Sequence, residues 1–469
     1  MLRARPSSRA ELVEAGCWSE VLNSSTPTAL AIRISCLEPR KLQVNPIPSP
    51  LTMASQQLPP PPPTSGDAAS PTTITALGDD LLREIFLRLP SLPSLVRAAL
   101  ACRAFLAAIR SSGAFRRRFR GIHAPPLLGL FFDPDGPAIP TFAPLRRRSD
   151  PDLAAAVRGG DFFLTRVPGD HDDTAPGWEI QECREGRVLL LNPRTNQIAA
   201  YDPLTRALDL VTRPPEEITV GCHGYFTYLN HHILPSSEDD EDPGALRVLC
   251  TCHDDSRARA AVFSSATGEW QIFPWARAFT RRRGDDKYWL HSGSLVNGCV
   301  YWTHTSKPYM LVLNTATMQF SRIDLPQYLK GQGHSFRVGE TNDGKPCIVG
   351  VVVFSLLVWY WRPDDNGVEK WMLDKMFPLQ AEVIELTEGS PEEHAALKVI
   401  EIIDGYVYLS TFETFNDPDL ACWFMTFCLE TAELEKLFHK KYDCHIYPYI
   451  MPWPSALLGN VVNPQLEGA

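Results

Sequence analysis

A strand–turn–strand pattern recurs between residues 188 and 437 of this 469-residue chain. In each copy an apolar run ends at Asn, Asp, Ser or Glu, a turn containing Thr follows, and a second run carries aromatic or aliphatic residues. The copies read VLLLNPRTNQIAAY (188–201), AYDPLTRALDL (200–210), AVFSSATGEWQIF (261–273), LVLNTATMQFSRI (311–323) and WFMTFCLETAELEKL (423–437). Short apolar runs joined by such turns predict antiparallel β-hairpins.

A sheet made of one or two hairpins cannot bury both of its faces alone. Hairpins repeated at roughly 40–60-residue spacing therefore predict the blades of a β-propeller, in which each blade covers its neighbours. Residues 124–460 would supply six or seven blades at about 45 residues per blade. A large β-sandwich is the alternative arrangement.

The most apolar segment, Cys347–Trp361, is interrupted only by Ser355. Its 15 residues are too few for a membrane-spanning helix, which needs about 20. The segment is rich in Val and ends in Trp and Tyr, which favour strands. It predicts two buried strands that meet near Phe354.

A different periodicity occupies residues 74–120. Asp79 and Asp80 are suited to begin a helix, because carboxylates accept the unpaired N–H groups of a first turn. The apolar residues that follow recur at helical spacing, and Pro90 ends this helix. Ser91 or Ser94 can cap a second helix. A third helix ends at Gly113. The pattern predicts a small three-helix module.

The segment TALGDDLLREIFLRLPSLPSLVRAALACRAFLAAIRSSGAFRRRF (75–119) resembles the F-box of plant F-box proteins. Gly78 stands where that family usually has Pro, and Phe105 stands where it usually has Trp. The resemblance implies docking onto a Skp-type adaptor, which links the protein to a cullin. The adaptor-binding residues it implies are Leu77, Leu81, Leu82, Ile85, Phe86, Leu89, Pro90, Leu92, Leu95, Val96, Cys102, Phe105 and Ile109.

The phrases YDPLTRAL, SLVNGCVYW and LVWYWRPDDNGVEKW resemble the F-box-associated β region of the same plant proteins. The expected architecture is therefore α+β and multidomain. A Pro-rich disordered segment (1–73) precedes an F-box module (74–120) and a propeller-like domain (124–460).

The resemblance implies a substrate-receptor subunit of an SCF-type E3 ubiquitin ligase. No catalytic motif argues for an enzyme: the chain has no P-loop, no G-x-S-x-G elbow and no H-E-x-x-H. We expect no catalytic residue, cofactor or metal. Two alternatives remain open. The β domain could bind a sugar or small molecule or act as an enzyme, or the F-box protein could act outside degradation.

A target protein is expected to bind loops at one end of the β domain, because binding residues concentrate on loops held by a rigid scaffold. Aromatic and charged residues near one predicted loop are the candidates: Trp275, Arg281, Arg282, Arg283, Tyr288 and Trp289.

The formal net charge of -10 argues against a general affinity for nucleic acid or anionic membranes. The 12 cysteines are scattered, with no secretory signal before them. Reduced thiols and a cytoplasmic or nuclear location are expected.

Overall fold

The computed structural model describes residues 77–134, 140–145, 151–168, 177–235, 245–277, 290, 293–304, 307–330, 335–364, 366–387, 396–412, 422–441, 444–454 and 457. The predicted disordered segment 1–73 lies outside these residues, as do Arg281, Arg282, Arg283, Tyr288 and Trp289. The described elements all belong to one compact unit, residues 71–469.

The described part of the chain begins with a helical module, which we define as residues 77–123. Its helices are α1 (Asp79–Phe86), α2 (Leu92–Ala101), α3 (Arg103–Arg110) and α4 (Gly113–Ile122). The first three agree with the sequence prediction, and the structure adds the fourth. Ser112 caps α4, since its Oγ accepts a hydrogen bond from the backbone N–H of Phe115 at 3.1 Å. Phe115 and Phe119, four residues apart, turn one face of α4 into the module core.

After the module come strands β1 (Leu127–Pro134) and β2 (Thr141–Pro144) and helix α5 (Pro151–Gly159). Five sheets then follow in chain order, each an antiparallel meander. Blade 1 contains β3 (Glu179–Arg184), β4 (Arg187–Asn192), β5 (Gln197–Asp202) and β6 (Ala207–Val211). Blade 2 contains β7 (Thr227–Leu234), β8 (Arg247–His253), β9 (Arg257–Ser264), β10 (Glu269–Ile272) and the short β11 (Ala276–Arg277). Blade 3 contains β12 (Ser294–Val296), β13 (Cys299–Thr303), β14 (Tyr309–Asn314) and β15 (Gln319–Asp324).

Blade 4 contains β16 (Phe336–Glu340), β17 (Pro346–Val352), β18 (Ser355–Pro363) and β19 (Glu369–Pro378), and helix α6 (Gln380–Thr387) follows it. Blade 5 contains β20 (Ala396–Ile403), β21 (Tyr406–Phe412), β22 (Cys422–Cys428) and β23 (Leu434–Lys440). The last strand, β24 (Cys444–Ile450), pairs with β1 rather than with β23. Blade 6 therefore joins the C-terminal strand to the two N-terminal strands, in the order β24, β1, β2.

This pairing closes a ring of six blades. The β-propeller predicted from the repeats is confirmed, and the open blade count is decided as six. Apolar clusters fill the spaces between neighbouring blades; one between blades 4 and 5 contains Val358 and Leu409. The predicted pair of strands in Cys347–Trp361 is also confirmed, because β17 and β18 pair across the two-residue turn Val353-Phe354.

Three of the five repeated turns are held by the same side-chain hydrogen bonds. Asn192, Asp202 and Asn314 each accept two hydrogen bonds from the backbone N–H groups two and three residues later, at 2.8–3.2 Å. Such side-chain bonds hold a tight turn between strands. They give the physical reason for the Asn or Asp that recurs in the sequence repeat.

Successive connections in an antiparallel meander alternate between the two faces of the propeller. We call one the module face; it carries the first-to-second-strand turns, such as Glu185-Gly186 and Asp404-Gly405. The module lies there, because Pro452 in the segment that joins its core packs directly on Gly186. We call the other the loop face; it carries the second-to-third-strand turns, such as Val353-Phe354, and the connections between blades.

Candidate functional site

The helical module presents two different surfaces. Five of the predicted adaptor-binding residues lie inside the module and are buried: Leu82, Phe86, Leu92, Leu95 and Ile109. Four more are half-buried against the same core: Leu77, Leu89, Val96 and Phe105. Cys102 is half-buried as well. In this conformation the role of these side chains is to hold the helices together.

The exposed members of the predicted set are Leu81, Ile85 and Pro90. Leu81 is 59% exposed and Ile85 is 40% exposed. The two residues lie four positions apart on α1, so they are neighbours on one face of the helix. Arg83, on the same helix, forms ion pairs with Asp79 and Asp80 and donates a hydrogen bond to the carbonyl of Ala108 on α3. The apolar pair therefore stands on a helix whose orientation is held by a charged neighbour.

A C-terminal segment joins the module to the propeller. Leu457 is buried in the module core, and Met451 and Trp453 pack against that core. The Trp453 ring meets Phe119 edge-on at 5.8 Å and lies under the guanidinium of Arg120 at 5.4 Å. Because this segment directly follows β24, the strand that closes the ring also fastens the module.

A cavity of about 1770 Å³ lies beneath the module and extends into the propeller. Helix α4 contributes Arg116, Phe119 and Arg120 to its wall, and the innermost strands contribute Glu182, Arg184, Glu340 and Glu401. The cavity thus includes the module-side end of the central channel.

Glu182 and Arg184 connect three blades inside this cavity. Glu182 accepts hydrogen bonds from Arg184 Nε at 2.7 Å and from the Ile233 backbone N–H at 2.9 Å. Arg184 also donates through Nη2 to the carbonyl of Leu295 at 2.6 Å. Burial opposes ionisation of Glu182, but the charge of Arg184 and the neighbouring His232 together outweigh it and lower the pKa of Glu182 to about 2.

Because the pKa of Glu182 is lower in the folded protein than in the unfolded chain, the free energy of unfolding depends on pH. The unfolded chain has an ordinary glutamate pKa of 4.5, so the stabilisation is complete above that value and is lost as the pH falls towards 2. The ionised Glu182 contributes on the order of 3 kcal/mol to the free energy of unfolding. We expect Glu182→Gln to destabilise the protein at pH 6 and the difference from wild type to shrink between pH 4.5 and pH 3. Urea denaturation at each pH measures it, and a difference that is constant with pH would contradict this assignment.

The pKa values of three other carboxylates at the module face are raised instead of lowered. Burial raises the pKa of Asp404 and of Glu340, although Arg120 and Arg184 partly offset this. Burial also raises the pKa of Glu401, against the charge of Arg337. Arg120 of the module is thus an electrostatic neighbour of carboxylates on the propeller, which adds to the apolar contacts of Trp453.

Trp275 is the one predicted target-binding residue within the described ranges, and it is half-buried on blade 2. Its indole N–H donates to the carbonyl of Val220 at 2.9 Å. The guanidinium groups of Arg257 and Arg259 lie over its ring at 5.0 and 4.7 Å. These contacts fasten the connection between blades 1 and 2, so a role in target binding stays a prediction.

Sequence reasoning missed the residues that join the module to the propeller. Arg120 is separated from Trp453 and Leu457 by more than 300 residues along the chain, so no local pattern links it to them. A signal was nevertheless present, because Met451, Trp453 and Leu457 form an apolar segment after the last predicted hairpin.

A protein-family model described as "F-box protein AT5G49610-like, beta-propeller" matches residues 179–457, which is more than half of the chain. The chain belongs to this family of F-box proteins. The match covers five of the six blades in full, together with β24 of the sixth and the segment that joins the module. No curated protein matches the chain significantly.

Several solved structures are similar at low identity. A luciferin-regenerating enzyme has a TM-score of 0.31 and 10% identity, over 57% of this chain and 75% of that one. TolB from Acinetobacter baumannii has a TM-score of 0.28 and 13% identity, over 59% of this chain and 55% of that one. A chain of a nidogen/laminin complex has a TM-score of 0.32 and 11% identity, over 68% of this chain and 96% of that one. Similarity this low carries no argument about function.

Two further properties are those of the described residues alone. None of the helices there combines the length and the apolar character that crossing a bilayer requires. No group of three or more His, Cys, Asp or Glu side chains in those ranges is placed to hold a metal ion.

Proposed function

We propose that this protein is the substrate-receptor subunit of an SCF-type E3 ubiquitin ligase. The helical module would be an F-box that binds a Skp-type adaptor and, through it, a cullin, while the propeller would bind the target. Membership of an F-box propeller family supports this proposal. The observation that carries it is the exposed apolar pair Leu81 and Ile85, on a module that is too small to need it for its own core.

In this proposal the receptor performs no chemistry. It acts by raising the local concentration of the target near the conjugating enzyme. The segment that joins the module to the propeller supports such a role, because it holds the proposed adaptor-binding helices in a defined orientation towards the propeller. A cytoplasmic or nuclear location is expected for such a subunit.

The enzymatic alternative requires a deep pocket with converging carboxylates, and the cavity beneath the module meets this requirement only in part. Carboxylates face it, but Arg184 and Arg120 are among their neighbours. Glu182 is already engaged by Arg184 and by the Ile233 N–H.

Binding of the purified full chain to a purified Skp-type adaptor tests the proposal. We expect a stable complex by size-exclusion chromatography, and addition of a cullin–RING core should give ubiquitylation of proteins that co-purify with the receptor. The absence of an adaptor complex would contradict the proposal. A complex without ubiquitylation would favour a role outside degradation.

A further inference from the structure

The turn Val353-Phe354 at the loop-face end of blade 4 holds an unusual residue. Val353 has a φ of 57°, in the left-handed region. Glycine and asparagine adopt this conformation readily, whereas a β-branched side chain is a genuine outlier there. Two-residue hairpin turns normally carry Gly, Asn or Asp at such positions.

The contacts of Phe354, the second residue of the turn, account for the path of the backbone, but they do not require valine at position 353. Phe354 is buried between blades 4 and 5 with Leu379 and Val383. The carbonyl groups of Val353 and Phe354 accept hydrogen bonds from the N–H groups of Leu397 at 2.8 Å and Leu379 at 2.9 Å. Asn or Gly at position 353 would preserve all of these contacts with less strain. A side chain that stays exposed at a conformational cost is a reason to look for an external partner.

Two further apolar side chains are exposed at the loop face: Val352 at the end of β17, and Tyr328 in the connection between blades 3 and 4. Val352 is 44% exposed, Val353 is 57% exposed and Tyr328 is 64% exposed. Tyr328 precedes Leu329, which packs on Gly350 of β17. Residues two apart on a strand share a face, so Val352 lies on the same side of β17 as Gly350. Tyr328 and Val352 therefore border one side of blade 4 at the loop face, away from the module.

Helix α6 borders the other side. Val383 turns inward against Phe354, and Glu382 and Glu385 are exposed. The two carboxylates are three residues apart and share one surface of the helix. Neither forms an ion pair with another described residue. Lys330 is exposed next to Tyr328, whereas Glu382 and Glu385 lie on the α6 side. Lys436 donates a hydrogen bond to the carbonyl of Leu386 at the end of α6, at 2.8 Å.

We propose that Tyr328, Val352 and Val353 form a docking surface for a protein target that presents an apolar side chain followed by lysines or arginines. The apolar side chain would pack on the two valines and the tyrosine ring, and the basic residues would lie over Glu382 and Glu385. The negative charges of Glu382 and Glu385 on α6 favour a basic partner over an acidic one. The proposal rests on the proposed receptor function, and it names the chemistry of the target.

Fluorescence anisotropy of the full chain with three labelled peptides tests the surface. The first carries Leu-Phe followed by three lysines, the second carries Leu-Phe followed by three glutamates, and the third carries Ser-Ser followed by three lysines. We expect the first peptide to bind at least tenfold more tightly than either of the others. The double variant Val352→Ser/Val353→Asn should lose at least tenfold in affinity for it. Glu382→Gln/Glu385→Gln should abolish the preference for lysine over glutamate.

Val368→Ser is the matched control, because Val368 is 59% exposed in the third-to-fourth-strand turn of the same blade, on the module face. It should leave peptide binding unchanged. The melting temperature of the Val352→Ser/Val353→Asn variant should not fall, since Asn suits the left-handed turn. Equal binding of the three peptides, no binding of the first, or unchanged binding by the double variant would overturn the docking surface.

Adaptor capture by the same proteins separates the two proposals. Loss of the docking surface with adaptor capture intact would overturn the docking proposal alone. Selective peptide binding by a wild-type protein that captures no adaptor would support the docking surface and overturn the ligase role.

Discussion

Replacing Leu81 and Ile85 together by Asp is expected to weaken adaptor binding by at least about 100-fold, because each apolar anchor of an interface contributes roughly 2 kcal/mol or more. Both side chains are exposed, so the substitution removes little from the module core. The melting temperature should therefore stay within about 2 °C of wild type, as for most surface substitutions. Isothermal titration calorimetry with the purified adaptor, together with thermal denaturation, measures both effects.

Two matched variants decide what a loss of binding means. Ile122 is also exposed, at 56%, on α4 of the same module, and it is not among the predicted adaptor-binding residues. Ile122→Asp should bind the adaptor as wild type does. Leu82 is 1% exposed, so Leu82→Asp should unfold the module and lose binding for that reason. Equal loss of affinity in the Leu81/Ile85 and Ile122 variants would show that these side chains do not define the adaptor surface.

Tyr449→Ala is expected to destabilise the propeller by about 3–5 kcal/mol, as for other large aromatic side chains removed from a core. Tyr449 lies on β24 and is 1% exposed. Its ring packs edge-on against Phe131 at 6.0 Å and Phe162 at 5.2 Å. Its hydroxyl donates to the carbonyl of Gly186 at 2.6 Å, which ties the closing blade to blade 1.

Tyr449→Phe separates the ring from the hydroxyl. It keeps the aromatic packing and should cost only about 1–2 kcal/mol, for one buried carbonyl left without its donor. Differential scanning calorimetry of the three proteins measures the comparison. If Tyr449→Phe lowers the stability of the protein as much as Tyr449→Ala does, the hydrogen bond to Gly186 keeps the propeller closed, rather than packing of the Tyr449 aromatic ring.

The strand pattern could be read from the sequence because hairpins are local. The copies at 188–201, 261–273, 311–323 and 423–437 each form one antiparallel pair. Four residues separate the last paired positions in the first three copies, and six separate them in the fourth. In the copies at 188–201 and 311–323 an Asn before the turn accepts the hydrogen bonds that hold it, so the necessary information lies within about ten residues. The same holds for α1, which begins at Asp79 and ends at Phe86, shortly before Pro90. The prediction that Gly113 ends the third helix was wrong, because α3 ends at Arg110 and Gly113 is the first residue of α4.

The apolar residues of α1 show what could not be predicted from the sequence. Leu81, Leu82, Ile85 and Phe86 look alike in sequence, and all four were predicted to contact the adaptor. The structure turns Leu82 and Phe86 inward and leaves Leu81 and Ile85 in solvent. Which half of a stripe is buried depends on where the other helices pack, and a single helical pattern does not carry that information.

Periodicity and turn chemistry are properties of neighbouring residues, so a helical module followed by a domain of repeated β-hairpins could be predicted from the order of amino acids alone. The folded structure was needed to establish that there are six blades, that β24 closes the ring on β1, and that Trp453 and Leu457 fasten the module. It also placed Val352 and Val353 on the face away from the module. These features depend on contacts between residues hundreds of positions apart, which form only when the whole apolar surface of the chain is buried together.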